Sequence, residues 1–284
     1  MQLCTTTDEL RARDIRDRWE IKSPFFADIN HSVVSYRVCG NGSECAADHA
    51  VFYLHGFGGS LDDTPFLEDH ICNRTRLIRV ANFGLQKIGL KLPLATFGDV
   101  CCIMHNSAQA VSTIATRMDL RSYDVVAHSW GGMVASINAL RDQRCRKAML
   151  LVSSPDICDV LEQMHSLHGL GFLGPLLDLG VGPMLRWEAV AAKFGKSWHQ
   201  AAWEQINPFR LNGNPDIDML IYNRNEDRVM QRWNVENYIS HAKQRGINRV
   251  KAEFVTNSKL HFHDMPLTMF ADRMKSFFFD ETAT

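Results

Sequence analysis

The chain has 284 residues, of which 45% are apolar and 22% charged, with a formal net charge of −1. That length fits one large domain or a domain with an insertion, and the composition is that of a globular protein with a substantial core. The near-neutral balance implies no basic surface for nucleic acid, so partners have to be argued from a site.

The first ten residues, MQLCTTTDEL, have neither a basic start nor an apolar run, so no secretory signal is visible and the expectation is a cytoplasmic protein. No apolar stretch approaches the ~20 residues that a membrane-crossing helix needs. Eight cysteines are scattered without a Cys-x-x-Cys pair, which predicts buried thiols rather than a disulfide framework. Asp8 to Glu20 (DELRARDIRDRWE) is dense in mixed charge and reads as a solvated helix or an arm. Ser32 to Cys39 (SVVSYRVC) alternates as a strand with one wet face does, and Gly40-Asn41-Gly42 supplies a turn, predicting an early hairpin at a sheet edge.

Ala50 to Leu54 (AVFYL) is a continuous apolar run suited to a strand covered on both faces. It ends in His55-Gly56-Phe57-Gly58-Gly59-Ser60, a glycine-rich loop without the Gly-x-x-x-x-Gly-Lys spacing of a phosphate-binding P-loop. Arg76 to Ala81 predicts another short strand, and Asn82 to Gly98 a loop punctuated by Gly and Pro. Asp99 to Met118 has helical spacing, with Val100, Ile103, Met104, Ala108, Val111, Ile114 and Ala115 on one stripe; Cys101-Cys102 lies within it.

Next comes Tyr123-Asp124-Val125-Val126-Ala127-His128-Ser129-Trp130-Gly131-Gly132, a short buried strand, a tight turn carrying a serine, and a helix opened by small residues. Small neighbours are needed there because a large side chain two residues to either side would strike the adjoining strand or helix. The turn sets the hydroxyl beside a helix N-terminus, where N–H groups and the macrodipole stabilise an anion. The segment resembles the nucleophile elbow of the α/β-hydrolase family, departing from Gly-x-Ser-x-Gly only by Ala127 at the first position. The resemblance implies Ser129 as nucleophile. It also implies that the His55-Gly56 loop and the elbow supply the two oxyanion donors, the backbone N–H groups of Phe57 and Trp130.

Arg146 to Val152 is a further buried run, and the alternation of strands and helices predicts right-handed βαβ units with a parallel sheet. From Ser154 to Pro215 strand alternation vanishes and the chain becomes rich in Leu, Gly and Trp, including Leu167 to Leu177, Trp187, Phe194, Trp198, Trp203 and Phe209. The family inserts a helical cap at this position, which implies a core of residues 1–154 and 215–284 with a cap at 155–214, some of whose aromatic residues line an acyl pocket; an aromatic stripe at helical spacing is otherwise simple core. Asp218 to Tyr222 resumes the sheet, and Val250 to Thr256 reads as its last strand before a terminal helix ending near Phe279.

The family's third triad member is an acid past a late strand, which implies Asp227, with Glu226 adjacent and Asp156 more remote as alternatives. Its catalytic histidine lies in the loop after the last strand, which implies His261, followed by Phe262; His263 is the competitor because Leu260 stands where a glycine is common. The order Ser129, Asp227, His261 is the family's triad order. The fold class implied is α/β, a mostly parallel central sheet flanked by helices with an inserted helical cap. The activity implied is hydrolysis of a carboxylic ester or thioester with an apolar acyl group through an acyl-enzyme. C–C bond cleavage or lyase chemistry with the same triad, or a ligand-binding receptor that keeps the pocket, are the alternatives. The chemistry calls for no cofactor, and His165 and His168 lack partners at metal-ligand spacing. The partner expected is a small apolar acyl substrate, with no nucleic acid and no membrane span.

Overall fold

A computed structural model describes residues 6–40, 48–62, 66–88, 94–163, 183–225, 227, 230–255 and 270–279. Among the described residues eight strands form one sheet: β1 (Thr6–Arg11), β2 (Val33–Cys39), β3 (His49–Leu54), β4 (Arg76–Val80), β5 (Ser122–His128), β6 (Cys145–Leu151), β7 (Asp218–Arg224) and β8 (Val250–Val255). Their order across the sheet is β1-β2-β4-β3-β5-β6-β7-β8. β1 pairs with β2 and β2 with β4 in antiparallel fashion, and every other pairing is parallel.

The central parallel strands β3, β5 and β7 carry apolar stretches because both their faces are covered. Ala50, Phe52 and Leu54 of β3, Val125 and Ala127 of β5, and Met219 and Ile221 of β7 pack on one side. That side carries α3 (Phe97–Arg117), α4 (Trp130–Arg141) and α8 (Arg232–Gln244). The alternate residues Val51, Tyr53, Val126, Leu220 and Tyr222 pack on the other side, against α1 (Phe66–Ile71) and α9 (Ala271–Phe279). The intervening α2 is a single turn (Leu85–Ile88) inside the segment expected to be a plain loop. Among the described residues between β6 and β7 there are helices and no strand: α5 (Ile157–Gln163), α6 (Pro183–Lys193) and α7 (Gln200–Ile206). The Leu167 to Leu177 stretch lies outside the described residues.

α3 begins on a capping box, in which the Thr96 hydroxyl accepts from the Asp99 N–H at 3.1 Å and the Asp99 carboxylate accepts from the Thr96 N–H at 2.9 Å. Its buried surface runs nearly all round the helix rather than along one stripe, because α4, α7 and the N-terminal segment pack on it together. Cys101, Cys102 and the described cysteines 39, 72, 145 and 158 are buried free thiols, as expected.

Two expectations fail at the amino end. Asp8 to Glu20 is not a solvated helix or arm: Thr6–Arg11 is the edge strand β1, Ala12–Asp14 is a 3-10 turn, and Leu10, Ala12 and Ile15 are buried. The charges misled because an antiparallel edge strand needs only one apolar face, and here the pairing with β2 and the docking onto α3 supply the burial. The hairpin expected through Gly40-Asn41-Gly42 is also absent: β2 takes β1 and β4 as neighbours, not β3, and residues 41–47 lie outside the described set.

The N-terminal segment is held by side chains of α3. Asn106 accepts the Trp19 N–H at 2.8 Å and donates to the Trp19 carbonyl at 2.9 Å. The imidazole of His105 stacks on the Trp19 indole with ring centroids 3.7 Å apart. Its Nε2–H donates to the Asp17 carbonyl at 2.7 Å, leaving Nδ1 to accept from Arg141 at 3.0 Å. Burial pushes this imidazole down to about 4 from 6.5, with the Arg141 charge adding and the Asp17 carbonyl opposing. Between those two values the unfolded chain binds the proton and the folded chain does not, so the His105 contribution is complete above about 6.5 and is lost as pH falls toward 4. Thermal midpoints measured from pH 7 to pH 5 should fall more steeply for the native protein than for His105→Asn, which keeps a donor for Asp17; equal slopes would refute this assignment.

Candidate active site

The parallel strands end together at one edge of the sheet, where open α/β folds place their sites. β5 ends at His128 and α4 begins at Trp130, so the whole reversal is made at Ser129. Its backbone sits at φ 53°, ψ −119°, a sparsely populated region for a residue with a Cβ that costs of order 1–3 kcal/mol. Only Asp17, Asp119 and Val152 share positive φ among the described non-glycine residues, and Val152, at φ 46°, closes β6 beside the elbow. Two of these four residues therefore lie at the carboxyl ends of neighbouring strands.

The contacts around Ser129 explain the small residues. A Cβ on Gly131 would lie 2.3 Å from the Leu54 carbonyl oxygen and 2.6 Å from that of His55, so only glycine lets the first turn of α4 sit on the end of β3. A Cβ on Gly132 would lie 2.3 Å from the Ser153 hydroxyl. From the other side, a Cβ on Gly56 would lie 3.2 Å from the Ser129 Cβ and 3.0 Å from His128 Nδ1. The His-Gly loop predicted from sequence thus lies directly against the elbow.

That loop turns tightly. The Gly59 N–H donates to the Gly56 carbonyl at 3.1 Å, and Gly58 takes φ +77° with open space around it. Asn82 Nδ2 holds the His55 carbonyl at 2.8 Å from the segment after β4. Phe57 is 41% exposed, and its ring meets the buried Trp130 indole edge-on at 6.1 Å. Trp130 is the first residue of α4, so its backbone N–H has no acceptor within the helix.

A second brace joins the elbow to β6 and β7. The Ser129 N–H donates to the Leu151 carbonyl and the Ser153 hydroxyl donates to the Ser129 carbonyl, at 2.9 and 2.8 Å. The Ser153 N–H and carbonyl are in turn paired with the side-chain amide of Asn223, at 2.8 and 2.9 Å, and Asn223 is fully buried. Sequence reading did not single out Ser153 or Asn223, because nothing in their local pattern distinguishes a brace from an ordinary strand-end polar residue.

Asp227 follows β7 at the same edge of the sheet and accepts the Met230 N–H through Oδ1 at 2.8 Å. Glu226, His261 and His263 lie outside the described residues. Asp156 is buried at the start of α5, where Oδ1 accepts the Cys158 N–H at 2.9 Å. Burial pushes its carboxyl up to about 7, with the Asp159 charge adding and the Cys158 N–H and Lys193 opposing. Burial thus favours the protonated form of this carboxyl relative to an exposed aspartate.

The aromatic residues of the segment before β7 divide. Trp203 is buried against Phe97 with ring centroids 6.0 Å apart, and Phe209 is half-buried against Tyr238 at 5.7 Å. Trp187, Phe194 and Trp198 are 53%, 72% and 75% exposed. A cavity of about 600 Å³ lies between α5, α6, α7 and the start of α8, walled by Trp203, Phe209, Phe194 and Trp233 over Asp156 and Asp159; Ser129, Phe57 and Trp130 are not among its lining residues. His165 and His168 lie outside the described residues, and no group of three potential metal ligands occurs among the described ones.

No protein-family model and no curated protein matches the chain. Solved structures do match in three dimensions. A Pyrococcus furiosus esterase, Pf2001, superposes with a TM-score of 0.58 at 15% identity, over 96% of this chain and 90% of the other. Homoserine O-acetyltransferase from Bacillus anthracis superposes with a TM-score of 0.54 at 12% identity, over 98% of both chains. Est1E from Butyrivibrio proteoclasticus gives 0.54 at 13% identity, over 86% and 93%.

Gly131→Ala should cost about 1–3 kcal/mol in chemical denaturation, because the obstacle to its Cβ is backbone that cannot rotate away. Wild-type stability in that variant would disprove the close seating of α4 on β3. Ser153→Ala should leave the protein folded with a loss of about 1 kcal/mol, since one buried hydroxyl bond to Ser129 disappears.

Proposed function

We propose that this chain, which has the α/β-hydrolase fold, is a serine hydrolase that cleaves a carboxylic ester or thioester with an apolar acyl group. Ser129 is the nucleophile, His261 the general base and Asp227 the carboxylate that orients it. The observation that carries the reading is the backbone of Ser129, held at positive φ between a buried strand and a helix N-terminus with the Gly56 turn packed against its Cβ. Strain of this kind persists only where the surroundings impose it, and it serves to lift a hydroxyl clear of the sheet.

In this mechanism His261 takes the Ser129 proton as the oxygen attacks the carbonyl carbon. The N–H groups of Phe57 and Trp130 receive the resulting oxyanion, each such donor being worth about 3 kcal/mol in a dry site. His261 then protonates the leaving alcohol or thiol, and water activated by the same imidazole releases the acid. Asp227 is preferred to Asp156 because burial pushes the Asp156 carboxyl up to about 7, which makes it a poorer anion for holding an imidazolium. The solved structures named esterase and O-acetyltransferase add support, since both names denote acyl chemistry. Residues 155–214 act as a helical cap over this site, the substrate is a small acyl compound, no cofactor takes part, and the location is the cytoplasm.

A fluorophosphonate probe should label the native protein and not Ser129→Ala, and p-nitrophenyl esters should be turned over. His261→Ala should lower kcat by roughly 10⁴ with little change in KM, while His263→Ala keeps most activity. Undiminished labelling of Ser129→Ala would reject the nucleophile, and full activity of His261→Ala would move the base to His263.

A further inference from the structure

Among the described residues nine large apolar side chains stand exposed, and four of them, Met184, Trp187, Phe194 and Trp198, fall between positions 184 and 198. Isolated exposed apolar residues are ordinary, whereas a contiguous set marks an interaction surface. Met184, Trp187 and Phe194 lie on one stripe of α6 and its last turn, with the small Ala191 between them. The tight turn at Gly195, φ +70°, brings Trp198 back so that its ring lies 5.7 Å from that of Trp187. The opposite stripe, Leu185, Ala189 and Ala192, is buried in the protein. Folding therefore accounts for the buried face of α6 and leaves Met184, Trp187 and Trp198 exposed, while Phe194 edges the cavity over Asp156 and Asp159 and also reaches solvent.

Charge identifies what fits the outer face. The single acid in residues 183–199 is Glu188, which is 4% exposed and spent on the Ser197 hydroxyl and, at 3.1 Å, the Trp198 N–H. Lys193 is committed to Asp159 and Glu162. Arg186 and Lys196 remain, flanking the stripe with no ion pair among the described residues. An exposed Met-Trp-Phe-Trp surface with surplus positive charge matches the boundary of an anionic bilayer, where indole rings settle at headgroup depth and basic side chains reach phosphates. A twofold contact with a second copy would instead set Arg186 and Lys196 against like charges. No described helix is long and apolar enough to cross a membrane, so the mode is lying on the surface.

We propose that the outer face of α6 and the turn after it, Met184, Trp187, Phe194 and Trp198 with Arg186 and Lys196, is a docking surface for anionic phospholipid bilayers. It does not depend on the chemistry at Ser129, and its test reads binding alone. The full chain should co-sediment with vesicles made of equal parts phosphatidylglycerol and phosphatidylcholine, and not with vesicles of phosphatidylcholine alone. The pair Trp187→Ser and Trp198→Ser, and separately the pair Arg186→Glu and Lys196→Glu, should each weaken partitioning by about tenfold or more, while circular dichroism stays that of the native chain. Raising the salt concentration should weaken binding of the native chain. Absent sedimentation with anionic vesicles, equal sedimentation with neutral ones, or a solution dimer that both variant pairs dissolve would each overturn the proposal.

Discussion

The seating of the first turn of α4 on the end of β3 is the constraint from which the candidate site follows. Gly131 approaches the Leu54 and His55 carbonyls more closely than any Cβ allows, so the helix that follows the elbow and the loop that follows β3 share one point. Because the helix is pulled in this far, the chain has a single residue in which to reverse, and Ser129 takes the strained backbone that results. The strain is held by bonds on both sides, from Ser129 to Leu151 and from Ser153 to Ser129, with Asn223 clamping Ser153 from the next strand. A strained turn without such braces would relax, and its hydroxyl would sink into the sheet.

The same logic extends outward through polar side chains buried among apolar ones. Asn82 fixes the His55 carbonyl, Asn106 fixes both backbone groups of Trp19, and Asn214 donates to the carbonyls of Ala139, Asp142 and Cys145 beside the start of β6. Each satisfies backbone groups at a strand or helix end or, for Trp19, in an irregular segment, where no regular ladder reaches them. The N-terminal segment, rich in charge, becomes part of the core by this means: β1 completes the sheet edge while His105 and Asn106 hold the chain that follows.

The helices before β7 face two ways. Leu185, Trp203 and Ile206 turn inward, and Trp203 meets Phe97 at the start of α3. Trp187, Phe194 and Trp198 turn outward, although at the level of composition they belong to the same aromatic series. The outward-facing aromatic residues are the surface on which the proposed bilayer docking rests.

Much was legible in the chain itself. Strands β3, β5, β6 and β7 were readable because a parallel strand covered on both faces holds an apolar stretch of β length between polar joins, and the edge strand β8 by its Val, Phe and Val positions. The elbow and the His-Gly loop were readable because their patterns of small residues around a serine and after a histidine stand in the sequence itself, although the carbonyls and side chains that those glycines make room for come from other segments. Only the tertiary structure decided what depends on partners distant in sequence: that Asp8 to Arg11 is an edge strand, that β2 sits between β1 and β4, and that Ser153 and Asn223 brace the serine. The same holds for which tryptophans face water, since the spacing of Trp187, Trp198 and Trp203 says that they share a helical region but not on which side its neighbours pack. Periodicity records how a segment presents its own side chains, and burial is settled by whatever else in the fold arrives to meet them.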